Sequence, residues 1–283
     1  MASLWSAIRA SRLLCTWFGA PSQCKAVEDA QSSGIPMGEE WHGLFAAIPI
    51  LDGLSDAQQV HLVALARRLL ERKTWTLLGV ELTERQRRAL ALQGALPILA
   101  LSLDWYRGFH EIIIIPEPVS RRQQVQDEFG LVSEWEEENA GEAWPQGPLV
   151  LAWSELQQDG DWDGYNLIIH ELAHKLDMLG GEADGAPPLP AGLAGSEWAA
   201  TCQQAFDQLQ AQCERGETTL IDPYAASHPA EFFAVCSELF FSQPRQLHQA
   251  FPAVYILFTR FYGQAPLLRQ PEADAVHLDS SSR

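Results

Sequence analysis

The stretch "YNLIIHELAHKLDMLGG", residues 165–181, sets two histidines four apart with a glutamate directly after the first. On an α-helix, residues four apart stand one above the other, so His170 and His174 project from one face and can converge on a single ion. Glu171 lies about 100° round the axis, outside that pair but within reach of a water held by the ion. Zinc lowers the pKa of such a water towards about 7, and a carboxylate beside it can take the proton as the water attacks a carbonyl. The plain alternative is a polar helix with two surface histidines. Its flanks argue otherwise: Leu167, Ile168, Ile169, Leu172, Ala173 and Leu176 are apolar, and a helix greasy on most sides is buried. Buried histidines need partners.

A catalytic zinc site takes a third protein ligand and keeps a fourth position open. Asp177 continues the His170 face, but seven residues of helical rise put it about 10 Å along the axis, beyond coordination. It is an orienting partner or a charge near the helix end. The metzincin pattern needs glycine at 177 and histidine at 180; the chain has Asp177 and Gly180, which excludes that class. The ligand then comes from another helix. "DPYAASHPAEFFAVCSELFF" (222–241) offers Glu231 and Glu238 among apolar neighbours, and such carboxylates are almost never buried without a partner. They are seven apart and share a face, so one sits level with the ion and the other can hydrogen-bond a ligand histidine from behind. Spacing leaves the choice open, with Glu231 slightly favoured by its first-turn position; His228 and Asp222 are weaker candidates. Tyr224 could present its phenol to a developing oxyanion, although plain packing is the commoner fate of a tyrosine.

Charge narrows the partners. Residues 1–125 hold 13 Lys/Arg against 12 Asp/Glu, while residues 126–283 hold 6 against 25, for a net charge of −18. So acidic a rear half repels phosphate backbones, and direct nucleic-acid binding is not expected. Five cysteines (15, 24, 202, 213 and 236) form no CxxC pair. That odd number fits reduced thiols in a cytosol better than a disulfide framework. No stretch approaches the roughly 18 apolar residues of a membrane span. The apolar run "LLCTWFGAPSQC" is short and lacks a small-residue cleavage site. The expectation is a cytoplasmic protein with no membrane partner.

Three regions emerge along the chain. Residues 1–40, ending in the small and polar "APSQCKAVEDAQSSGIPMGE", read as an arm or linker; 41–264 as a folded body; 265–283 as a tail. The body starts helical. "SDAQQVHLVALARRLLERK" has Ser55 and Asp56 as cap candidates, and "LTERQRRALALQGALPILAL" has Thr83, with Pro97 ending or kinking the helix. Strands follow at "EIIIIP" (111–116) and "GPLVLAW" (147–153), with "LVSEW" (131–135) a weaker third. After the histidine helix and its glycines come a surface loop, "GEADGAPPLPAGLAG", a helix from a Ser196 cap to Gly216, and a helix framed by Pro229 and Pro244. Helices, then strands, then helices make an α+β arrangement.

"HELAHKLDM" followed by "DPYAASHPAEFFAVCSELFFSQP" resembles the Mlc titration factor A family of bacterial zinc peptidases. The resemblance runs through "LTERQRRALALQGALPIL", "EIIIIP", "GEAWPQGPLVLAW" and "DGYNLIIHE", covering roughly residues 41–262. It implies a zincin-like fold, distantly similar to the catalytic domain of anthrax lethal factor: a helical N-terminal part, a small mixed sheet, an active-site helix with HExxH and a second helix supplying a glutamate. By position it implies one zinc ion held by His170, His174 and Glu231, with Glu171 as general base and Tyr224 as the oxyanion-stabilising tyrosine. It further implies aminopeptidase-like cleavage of a peptide or protein substrate and, as a partner, an Mlc-like repressor of sugar uptake.

The rival reading, from another class, is a regulatory protein that sequesters a transcription factor and uses zinc as a structural tie. Structural sites close with four protein ligands and need no base. Three clear ligands and a placed Glu171 favour the enzyme.

Overall fold

The computed structural model describes residues 37–126, 132–139, 141–143 and 147–271, with the backbone alone at 119–126, 132–139 and 141–143. The expected arm therefore lies outside the described residues except for 37–40, as do Cys15, Cys24 and the tail from 272.

Chain order is helices α1 (Glu39–Phe45) and α2 (Asp56–Arg72), strand β1 (Thr74–Leu77), helix α3 (Glu84–Ala95), strand β2 (Glu111–Ile115), a ribbon of β3 (Val119–Gln126) and β4 (Val132–Asn139), then β5 (Gly141–Ala143) and β6 (Leu149–Ala152). Helices α4 (Trp153–Leu156), α5 (Leu167–Asp177), α6 (Gly195–Glu214), α7 (Pro229–Ser242), α8 (Pro244–Ala250) and α9 (Pro252–Tyr262) complete it. The main sheet runs β1-β2-β6-β5, parallel across the first three strands and antiparallel at the β5 edge. This is the expected α+β class. Strands β1, β3 and β5 were not expected from the sequence. "TWTL" pairs as β1 with Thr74 opposite Glu111, although four residues behind a helix carry too short a pattern to read. From Val132 on, the expected "LVSEW" strand is found as the start of β4, which pairs with β3 in a separate antiparallel ribbon.

Local chemistry explains the helix starts. Ser55 and Thr83 each close a capping box, with Gln58 and Gln86 returning their side chains to the cap backbone N–H. Helix α3 ends at Ala95, where Pro97 turns the chain into a 3₁₀ turn. The Ser196 cap is corrected: the cap lies two residues earlier, at Ala194, α6 starts at Gly195, and no side-chain bond is made at the cap.

The helix of the opening stretch, α5, is central. It packs on β5, β6, α3 and α7, which is why Leu167, Ile168, Ile169, Leu172, Ala173 and Leu176 are all buried. At Gly94 of α3, an added Cβ would come within 3.1 Å of Leu172 Cδ1 and 3.2 Å of Ile168 Cδ1, so glycine permits the close approach of α3 to α5. Behind α7 lies an aromatic core: Trp198 stacks on Phe258 with centroids 5.5 Å apart, and Phe233, Phe240, Phe261 and Tyr262 close round them. Residues 265–271 lie against the body, where the Arg269 guanidinium donates to the carbonyls of Ile50 and Asp52.

Candidate metal centre

Helix α5 is started from outside as well as from within. Asn166 is its N-cap, its side chain accepting the N–H of Ile169 at 3.1 Å. Asp159, eight residues upstream of Leu167, accepts the N–H groups of Leu167 and Ile168 on its two oxygens at 2.9 and 3.2 Å. Three of the helix's orphan donors are thereby satisfied. Further along, the Lys175 ammonium donates to the carbonyls of Gly147 and Pro148 and so ties the helix to the approach of β6.

With the helix fixed, His170 Nε2 and His174 Nε2 both approach Glu231 Oε2 of α7, at 3.4 and 3.3 Å. The three possible ligand atoms lie within 4.8 Å of one another, and among the described residues this is the one cluster of three or more such groups. Glu231 Oε2 is buried without a hydrogen-bond partner. An orphaned carboxylate oxygen facing two imidazole nitrogens is the donor set of a cation, and the residues fit a metal.

Glu238, two turns along α7, stands on the other side of the ring. Its Oε2 is 3.2 Å from His170 Nδ1, and its Oε1 accepts the backbone N–H of Asn166 at 2.6 Å. The Asn166 amide donates in turn to Gln93 of α3 at 2.8 Å. The two glutamates that spacing could not separate thus take different places, Glu231 at the Nε2 side of the histidines and Glu238 at the Nδ1 side of His170.

Charge among these side chains follows from burial and proximity. Burial alone would lower the His170 pKa, but Glu231 and Glu238 outweigh it and lift the imidazole to about 10. Burial pushes Glu231 up, and the two imidazoles more than reverse that, holding its carboxyl well below the usual range. Glu171 is 5% exposed with Oε2 unpartnered, and burial raises its pKa although His170 and His174 oppose the shift. A carboxylate whose pKa is raised by burial beside possible metal ligands is a candidate for a functional group.

The remaining candidates fall elsewhere. Asp177 is fully buried and holds the N–H of Gly185 at 2.7 Å. His228 caps α7 through its Nδ1, and Asp222 accepts the Tyr224 N–H. Both of these are engaged as local caps and stand outside the three-residue cluster. Tyr224 lies in the 3₁₀ turn Pro223–Ala226 ahead of α7 and is about half exposed. Asn166, Gln93 and Asp159 were not singled out from the sequence. For Asn166 a signal existed, an asparagine directly before an apolar-periodic run; the other two are joined to α5 only by the fold.

A helix-borne HExxH met by a carboxylate from a second helix has the donor set of a metallopeptidase. Residues 25–263 match the glucose-regulated metallo-peptidase M90 family, and the chain belongs to it. Among its relatives are Mlc titration factor A of Yersinia pestis (strain Pestoides F) and of Yersinia pseudotuberculosis serotype O:1b (strain IP 31758). Each is 43% identical over 234 residues, covering 81% of this chain and 86% of the relative. The family implies a metal. No helix among the described residues is long and apolar enough to cross a membrane.

Proposed function

We propose that this protein is a zinc-dependent, aminopeptidase-like peptidase of zincin-like fold acting in the cytoplasm, with one zinc ion held by His170, His174 and Glu231. The observation that carries the reading is the cluster of those three ligand atoms within 4.8 Å, with Glu171 buried on the helix of the two histidines. Bound there, zinc would supply a Lewis acid that polarises a carbonyl and makes water a nucleophile near neutral pH.

The chain's own residues do the rest. Glu171 takes the proton of the attacking water and passes it to the leaving amine. Tyr224 donates its phenolic O–H to the oxyanion that develops on the scissile carbonyl. Glu231 is the most exposed of the three ligands, its side chain 20% accessible against 14% and 10% for the histidines, so substrate enters from its side.

The relatives' name supports a protein partner as well, an Mlc-like repressor bound on the surface of this chain. The acidic rear half argues against direct nucleic-acid contact.

Chromophore release from a panel of aminoacyl and peptidyl anilides tests the enzyme, with wild type and Glu171→Gln compared at equal zinc content. Activity confined to wild type is the expected result. Equal activity in both proteins would remove Glu171 from the mechanism, and zinc-loaded wild type without activity on any anilide would leave the repressor-binding role alone.

A further inference from the structure

Glu238 faces two groups of different kinds. Its Oε1 receives the N–H of Asn166, a backbone group that can only donate. Its Oε2 faces His170 Nδ1, which donates or accepts according to tautomer. The carboxylate is 7% exposed, Asn166 is fully buried and Gln93 is 3% exposed, so water does not substitute freely for any of these contacts. A carboxylate is acceptor-only, and with one oxygen committed to Asn166 the other can be satisfied by His170 only if Nδ1 carries the proton.

We propose that Glu238 is a positioning residue that fixes the tautomer of His170 in its neutral, metal-binding form, holding the proton on Nδ1 and leaving Nε2, which faces His174 and Glu231, as the ligand atom. This rests on the proposed metal site and adds to it the device that orients one ligand towards the metal. Asn166 is the anchor. Its side chain caps α5 at Ile169 while its amide is held by Gln93 of α3, so the N–H that fixes Glu238 belongs to the start of the helix that carries His170. The same carboxylate therefore sets both the ring's proton and the register between α5 and α7.

The acceptor pattern, rather than size, is what matters in this arrangement. In Glu238→Gln the amide oxygen must serve the Asn166 N–H, which turns the NH₂ towards His170 Nδ1. That donor favours the opposite tautomer, with the proton on Nε2, where it blocks coordination. Glu238→Asp is shorter but remains acceptor-only. Tautomer control predicts that the aspartate variant holds zinc more tightly than the glutamine variant; a packing role, which rewards conserved length, predicts the reverse.

Zinc affinity of the full chain is measured by competition with a chromogenic chelator for wild type, Glu238→Gln and Glu238→Asp. Thermal melting confirms that each is folded, and ¹⁵N-histidine spectra of the zinc-loaded proteins report the His170 Nδ1 proton. Glu238→Gln is expected to bind zinc about 10–100-fold more weakly than wild type and to lose a downfield, exchange-protected Nδ1 proton that wild type and Glu238→Asp keep. Affinities of all three within twofold, or a protected Nδ1 proton in Glu238→Gln, overturn the assignment while leaving the metal site intact. A wild type that takes up no zinc sinks the metal site and this device together. Should Glu238→Gln not fold, Glu238→Asp alone decides: its Nδ1 proton is either protected, as proposed, or not.

Discussion

Asp177, on the last turn of α5, accepts the N–H of Gly185 at 2.7 Å, while Trp198 of α6 donates its indole N–H to the Gly185 carbonyl at 2.9 Å. One loop residue is thus held by both of its backbone polar groups. Gly185 has φ +78°, and a Cβ there would fall 2.5 Å from the carbonyl oxygen of Pro229, the first residue of α7. The loop wedges between the end of the HExxH helix and the start of the helix that bears Glu231, two residues beyond Pro229.

Gly185→Ala is accordingly expected to be costly twice over. The left-handed backbone opposes any Cβ by about 1–2 kcal/mol, and the colliding atom belongs to the backbone of α7 rather than to a flexible side chain. Urea unfolding should show a loss of about 2 kcal/mol or more, with zinc uptake weakened because α7 must shift. An unchanged unfolding midpoint would mean the loop does not press on Pro229.

Metal loading offers a second check. Whatever binds the folded but not the unfolded chain stabilises it in proportion to the logarithm of ligand concentration over dissociation constant, about 4 kcal/mol at a thousandfold excess. Zinc added to metal-free wild type is expected to raise the melting temperature and reach one equivalent per chain. Glu231→Ala and His174→Ala should lose both effects, each removing one of three ligands. A variant that still bound one zinc with undiminished stabilisation would place the metal elsewhere.

How much of this was legible in the sequence follows from how local each signal is. His170, Glu171 and His174 share one helix, so their common face is a matter of 3.6-residue periodicity. The caps at Ser55 and Thr83 were readable for the same reason, although the capping boxes they close with Gln58 and Gln86 were not picked out. The Glu231/Glu238 choice was not, because two residues seven apart point the same way until a second helix gives them a level. Strand β1 escaped because its partner β2 lies 37 residues later and four residues hold no clear period. Asp159 and Gln93 carry no local mark; each matters only because the fold brings it to Asn166 or to the helix that follows.

Tyr224 gives a prediction that separates chemistry from structure. It is about half exposed, so removing the hydroxyl alone costs little packing. Tyr224→Phe should retain zinc and melt within a degree or two of wild type, yet lose about 10²–10³-fold in kcat if its O–H meets the oxyanion. Turnover within threefold of wild type would assign the tyrosine to the surface rather than to the reaction.

Asp159 links helix capping to pH. Burial raises its carboxyl to about 7, against 3.8 ordinarily; the N–H groups of Leu167 and Ile168 oppose the shift, and Glu238 and Asp163 add to it. A folded-state pKa above the unfolded one means that the folded chain binds the extra proton between those two values. The associated stability is complete below about 3.8 and is lost as pH rises through about 7. In metal-free protein, wild-type stability is therefore expected to fall between pH 5 and pH 7, with a limiting slope of about 1.4 kcal/mol per pH unit from this group. Asp159→Asn keeps one acceptor for the helix N-terminus and abolishes the titration, so its overall stability drops by roughly one hydrogen bond, about 1 kcal/mol, but its decline across that window is shallower. Urea unfolding at half-unit pH steps measures both curves. Parallel curves for wild type and variant would show that Asp159 is ionised throughout the range and that its two backbone N–H bonds, rather than burial, set its charge.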